Sequence, residues 1–361
     1  MKRKWSLRLG AAVLCAVLLG SCGSTAAAPA ESTAPADPLT GQQLLYPEQR
    51  TAAVVIENTT GSTTQWGIGS ASVVLETLTH TAVSPSLCLV YPSVQAMPAV
   101  GPVTEGSDIY WRLLSGQQVL PIQRGCGRYT RNYLDYYGIQ PVDALVVGRN
   151  AFTGGAQWVT APLWRTSGNA VESVLSALNI SAALEGEPAA DPGEGEPETP
   201  SVPALLPMQT GGHLPDADAA DAEQVTVTFR EQGSTCFAYN AGRGVYGMLH
   251  ADGTPQRDAN TGTQAAFDNL LILYSASETR DDGQTLDYDL SMGGGVWLNG
   301  GHLWHITWTQ GTHSTLLFYD ADGRPLSIES GRSYIALLSS LTGEELSVRN
   351  AAGDDLLAVE E

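Results

Sequence analysis

The stretch Gly293–His313, GGGVWLNGGHLWHITWTQGTH, decides how the second half of the chain folds. It holds three of the eight tryptophans and three of the six histidines, so a metal site, a sugar platform and a packed hairpin must be weighed against one another. Asn299-Gly300-Gly301 lies between two apolar runs and reads as a hairpin turn, because glycine takes the positive φ that tight hairpins need. Side chains alternate along the strand that follows. His302, Trp304, Ile306 and Trp308 share one face, and Leu303, His305, Thr307 and Thr309 share the other. His302 and His305 therefore point apart, while His305 and His313 are roughly 27 Å apart along an unbroken strand. That spacing excludes a shared metal. The face Trp304-Ile306-Trp308 is expected in the core, since a half-buried strand needs one apolar face. A sugar platform would need the same rings exposed.

The punctuation of this stretch runs through the rest of its half. Short β-prone runs such as VTVTFR (225–230), TCFAYN (235–240), NLLILYS (269–275) and SYIALLS (333–339) alternate with Asn-Ala-Gly, Asp-Gly and Asn-Thr-Gly turns. Many short strands at regular spacing predict a mostly antiparallel β domain over 224–340, followed by an acidic tail over 341–361. Before it, 181–223 contains EGEPAADPGEGEPETP and PDADAADAE. Pro, Gly and acid without aromatic residues predict a disordered linker there.

The first half, 38–180, mixes periods. Ala52–Ile56 and Leu87–Tyr91 read as buried strands, and Ser72–Thr79 as strand or helix. Thr104 is expected to cap a helix over EGSDIYWRLL, YTRNYLDYY to form a helix ending at Gly138, and Ser167–Leu178 to form a third. DALVVG (143–148) reads as a strand. Alternating strands and helices predict an α/β layered domain. The expected fold class is thus α+β, an N-terminal α/β layered domain followed by a mostly antiparallel β domain.

At the start of the chain, Lys2, Arg3, Lys4 and Arg8 surround the beginning of an apolar run that reaches Leu19, and Gly20-Ser21-Cys22 follows. A basic start, a short apolar run and small residues are the parts of a secretory signal over 1–21. Ending in a cysteine, it resembles the lipobox of bacterial lipoproteins. The resemblance implies lipidation of Cys22, attachment to the extracytoplasmic face of the cell membrane, and a flexible tether over 22–37. Two acyl chains suffice for stable anchoring.

Four of the 18 basic residues and none of the 38 acidic ones precede Cys22. Such an acidic remainder argues against nucleic acid and against electrostatic docking on anionic lipid. Cys88, Cys126 and Cys236 remain, an odd set that allows at most one internal bridge, with Cys88–Cys126 as the candidate pair. No CxxC spacing points to zinc, and no metal or cofactor is expected.

Chemistry-bearing motifs are sparse. The sequence has no GxSxG elbow, HExxH pair or phosphate loop. Glu76 is either a buried functional acid or, as lone carboxylates usually are, a solvated one. Arg124, Arg128 and Arg131 cluster in RGCGRYTR; they would clamp a phosphate or carboxylate, or pair along a helix face, Arg131 with Asp135. DANTG (258–262) and DADG (320–323) resemble pieces of calcium loops but lack the oxygen count of one; both read as Asp-rich turns.

Several of these segments together resemble the YerB-like lipoproteins, a family of unknown function. Asp37–Gly41 (DPLTG), Ala53–Asn58 (AVVIEN), Gly67–Thr77 (GIGSASVVLET) and Val100–Val103 (VGPV) occur in family order. In the second half, Asp258, Thr261, Gly262, Asn269, Trp308, Asp320, Gly323, Gly331 and Tyr334 fit the family pattern. The resemblance also gives Glu76 and Trp308 as candidate binding residues. The chain departs from the family where VGPVRSAR becomes VGPVTEGSD, where WVTAPLWR lacks a histidine, and where Thr309 replaces a basic residue after Trp308. If those positions form an anion site in the family, much of it is missing here. The reading that results is a membrane-anchored extracytoplasmic lipoprotein acting as a binding or scaffolding module, its partner an envelope protein or a cell-wall glycan. The alternative is a surface hydrolase or transferase using Glu76 or Asp135 with a nearby arginine, which requires those groups to converge in one cleft.

Overall fold

The computed structural model describes residues 36–58, 64–154, 164–185, 201–211, 214–310 and 315–357. The expected signal over 1–21, Cys22, most of the expected tether, residues 186–200 and 212–213 of the expected linker and His313 lie outside the described residues. Among the described residues no helix is long and apolar enough to cross a membrane.

The opening hairpin forms as expected. Strands Met292–Asn299 and His302–Thr309 pair antiparallel, and Gly300 (φ 58°) and Gly301 (φ 82°) make the two-residue turn. Trp297 faces Trp304 across the hairpin, ring centroids 4.3 Å apart and stacked. Trp304 and Trp308 are 6% and 0% exposed, so the aromatic face is core and not a sugar platform. A Cβ at Gly293 would collide with the Tyr274 carbonyl and lie 2.7 Å from Trp308 Nε1. The glycine run therefore makes room for an indole that lies flat across its own strand partner.

The hairpin belongs to an eleven-stranded sheet. Its order is Pro325–Leu326, Leu317–Tyr319, His302–Thr309, Met292–Asn299, Asn269–Ser275, Ser333–Ser339, Val73–Thr77, Ser86–Tyr91, Ala52–Glu57, Leu120–Gln123 and Val142–Asp143. Ser333–Ser339 runs parallel to both its neighbours, one from each half of the sequence. The halves expected as separate domains thus share one sheet within a single compact unit, Pro35–Glu361. Central strands are buried on both faces, which is why Ser72–Thr79, ambiguous in sequence, resolves as strand Val73–Thr77 with every residue buried.

One face of this sheet carries helices. The Tyr110 hydroxyl donates to the Ser86 carbonyl, and Gln310 Nε2 donates to the Leu113 carbonyl at 2.9 Å. The other face carries a five-stranded antiparallel sheet ordered Ala266–Phe267, Val245–Leu249, Ser234–Asn240, Gln224–Thr228, Glu345–Arg349. Phe237 and Phe267 of that sheet pack on Tyr334 at 4.7 and 5.9 Å. The fold is α+β, with an α/β layered first part and a mostly antiparallel second part.

Four local expectations differ from the structure. Described parts of the 181–223 linker are packed: Leu205 and Leu206 are buried, Met208–Gln209 pairs with Ile328–Glu329, and Ala219 bridges Leu303. The apolar pair Leu205-Leu206 has a face to cover, and the free edge of His302–Leu303 needs backbone partners. The acidic tail begins with a strand, Glu345–Arg349, because Val348 alternates into the core. The first helix, α1 (Asp108–Leu113), is capped by Ser107 and not Thr104, whose N–H is held by the Val55 carbonyl. DALVVG turns helical as α3 (Ala144–Val147) because the Asp143 carboxylate accepts from Leu145 N and caps it. The thiols of Cys88, Cys126 and Cys236 are free.

Arg332 ties the halves together. Its guanidinium donates to the carbonyls of Ala71 (2.8 Å), Ala266 (2.7 Å) and Ile68 (2.9 Å), and lies over the Phe267 ring at 4.9 Å. Its backbone N–H donates to Asp268 Oδ2 at 2.8 Å. A lysine ammonium cannot span three carbonyls in one plane. Arg332→Lys is expected to lower unfolding free energy by about 3 kcal/mol, read from urea denaturation; an unchanged midpoint would show that the carbonyl clamp is dispensable.

Candidate functional site

Three helix ends meet beside the sheet. α1 runs into a 3-10 turn, Ser115–Gln117, that stops at Gln118 (φ 45°). α2 (Arg128–Tyr136) stops through Gly138 (φ 64°), with Ile139 N donating back to the Leu134 carbonyl at 2.8 Å. α4 (Gly168–Leu178) stops at Asn179 (φ 55°). A left-handed residue is the usual way to end a helix and satisfy its last carbonyls. Here all three such residues line one groove of about 570 Å³.

Arg50 sits at the base of this groove. Its guanidinium donates to the carbonyls of Gln118 (2.9 Å), Val119 (2.9 Å) and Ser181 (3.0 Å). Burial lowers its pKa, opposed by the Glu185 carboxylate on the rim. Tyr133 and Tyr137 stand 4.7 Å apart in the wall, and burial pushes the Tyr133 hydroxyl up to about 12. Trp111 lines the same groove and is fully buried, and among the described residues its indole N–H has no acceptor, as Gln117 Oε1, Gln123 Oε1 and Arg280 Nε have no partner.

The residues singled out in the sequence go elsewhere. Glu76 is neither solvated nor beside an arginine. It is 1% exposed, and its carboxylate accepts from Asn58 Nδ2 (2.6 Å), Thr235 Oγ1 (2.9 Å) and the Tyr334 hydroxyl (2.5 Å). Gln65 Nε2 donates to Asn58 Oδ1 at 3.1 Å, and Gln256 Nε2 donates to Gln65 Oε1. Burial pushes the Glu76 pKa up to about 7 against the pull of its three hydrogen bonds. This is a buried polar knot between the two sheets, and no arginine converges with Glu76 among its described partners, as a hydrolase there would require.

The three arginines have separate neighbours. Arg128 pairs with Asp281 and lies over Tyr129, both at the surface. Arg124 stands near Glu57, whose carboxyl burial pushes up and Arg124 pulls down. Arg131 is exposed on α2, and no ion pair joins it to Asp135. Trp308 donates its indole N–H to the Tyr274 (3.2 Å) and Gly294 (3.1 Å) carbonyls inside the core, which removes it as a binding residue. Asp258 Oδ2 accepts from Gly69 N at 2.8 Å and Asp258 Oδ1 from Asn260 N at 2.8 Å, a buried turn.

Residues 39–188 match the N-terminal domain, and 225–335 the C-terminal domain, of a protein family of unknown function, DUF3048. The chain belongs to this family. The crystal structure of the YerB protein from Bacillus subtilis has a similar fold, with a TM-score of 0.71 at 20% identity over 87% of this chain and 99% of that one. No curated protein matches the sequence. The DUF3048 segments divide the two features between them. Every groove residue named above lies in 39–188, whereas the Glu76 knot draws Asn58 from the first segment and Thr235 and Tyr334 from the second. Gly138 was legible as a helix stop in the sequence; Asn179, after the Ser167–Leu178 helix, was a second such signal.

Glu76 gives stability a pH dependence. A carboxyl whose folded pKa is raised contributes fully below its unfolded value near 4.5 and loses that contribution as pH rises to about 7. Relative to Glu76→Gln, the native chain should lose on the order of 3 kcal/mol between those limits. Urea denaturation at pH 4.5, 6 and 8 reads the difference; parallel curves for the two proteins would mean that Glu76 titrates normally.

Proposed function

We propose that the chain is a lipid-anchored extracytoplasmic binding module, held at the cell membrane through Cys22 and using the Trp111 groove to engage an envelope partner. The groove carries this reading, because it combines aromatic walls with planar amides on Gln140 and Asn179. Such a mixture is typical of sites that fix a ligand by a few polar groups on an apolar surface. The signal and Cys22 supply the place, and the acidic balance of 18 basic to 38 acidic residues leaves anchoring to the lipid and not to surface charge.

Two measurements test it. Cys22→Ala protein is expected to leave the membrane fraction on alkaline wash; retention there contradicts the anchor. A photo-crosslinking side chain at Gln140 should give a discrete crosslinked species in cells, absent when the same probe replaces Glu278, an exposed strand residue. Identical patterns from both positions would remove the groove as the binding face.

A further inference from the structure

The charges around the groove say what kind of group it takes. The C-terminal ends of α2 and α4 both reach it, and each helix end carries about half a negative charge from aligned peptide dipoles. Glu185 adds a full negative charge on the rim. Arg50 is the one cation among the described residues that line the groove, and three of its N–H groups are already donated to backbone carbonyls. The sum is negative by about one charge, in a chain that is itself acidic overall. An anionic ligand would meet no free guanidinium here.

The walls have matching chemistry. Tyr133 presents a ring face of the kind that holds an ammonium or guanidinium, and Tyr136, 82% exposed, extends the aromatic surface beyond the rim. The same chain already seats its own arginines in this way: Arg165 lies over Trp66 at 4.5 Å and Arg280 over Tyr129 at 4.6 Å. Gln140 offers both donors and an acceptor, while the Gln118 amide is closed onto the Glu185 backbone, donating to its carbonyl and accepting from its N–H, both at 2.9 Å. A carbonyl-rich backbone carrying a cationic side chain meets all of these requirements at once.

We infer that the groove binds a basic peptide segment of a partner protein, its Lys or Arg side chain set against Glu185, Tyr133 and the helix ends. This rests on the groove being the binding face proposed above. Glu185→Lys reverses one exposed charge, and Glu185→Gln removes it.

Selection of randomised short peptides on the full chain in nonionic detergent tests the inference without a known partner. Lys and Arg should be enriched among binders. A selected peptide should bind about fivefold more weakly to Glu185→Gln, and more weakly again to Glu185→Lys, with circular dichroism unchanged. Its affinity should also fall with added salt. Binders without basic enrichment, or equal affinity for the native chain and Glu185→Lys, overturn it. So does retention on purified peptidoglycan that Glu185→Lys abolishes while no peptide is selected. If groove crosslinks form in cells and the selection shows no basic preference, the site stands and its assigned occupant falls.

Discussion

The guanidinium of Arg332 holds backbone from two distant stretches in one plane, and the rest of the fold follows from that clamp. Ile68 and Ala71 come from the first half, Ala266 from the second. With those carbonyls fixed, Ser333–Ser339 enters the sheet between Val73–Thr77 and Asn269–Ser275, parallel to both. A one-residue slip would turn Tyr334 to the opposite face. In register, its hydroxyl meets Glu76 and its ring meets Phe237 and Phe267, which seats the second sheet. Burial and geometry therefore choose arginine at 332, since only its planar fork reaches three acceptors.

The same device recurs at Arg50, with a different outcome. There the guanidinium also binds three carbonyls, but they line a groove and do not lie inside a core. Those carbonyls follow the Ser115–Gln117 turn and α4, while the end of α2 is closed by its own backbone, Ile139 N donating to the Leu134 carbonyl. The groove is thus a consequence of how the helices stop.

Local features were legible in the sequence wherever the decisive partner lay nearby. Alternation placed Trp304 and Trp308 in the core, Asn299-Gly300-Gly301 announced its turn, and Ser167 marked the start of α4. Long-range features were not. Leu205 and Leu206 sit in a composition that argues for disorder, and only the uncovered sheet explains their burial. Asp143 reads as the start of a strand until its carboxylate is seen to cap a helix. Glu76 reads as a lone carboxylate because Thr235 and Tyr334, its partners, are far along the chain. The groove was invisible for the same reason: Arg50, Gln118, Gly138 and Asn179 are spread over most of the first half.

Native-state hydrogen exchange tests most directly whether one clamp unites both halves. If Ser333–Ser339 is the shared strand of a single cooperative unit, its amides and those of Val73–Thr77 should exchange through the same global opening, with equal free energies that fall together as urea is added. If Val73–Thr77 exchanges while Ser333–Ser339 and Asn269–Ser275 stay protected, the halves unfold independently, and the Arg332 clamp does not hold the fold together.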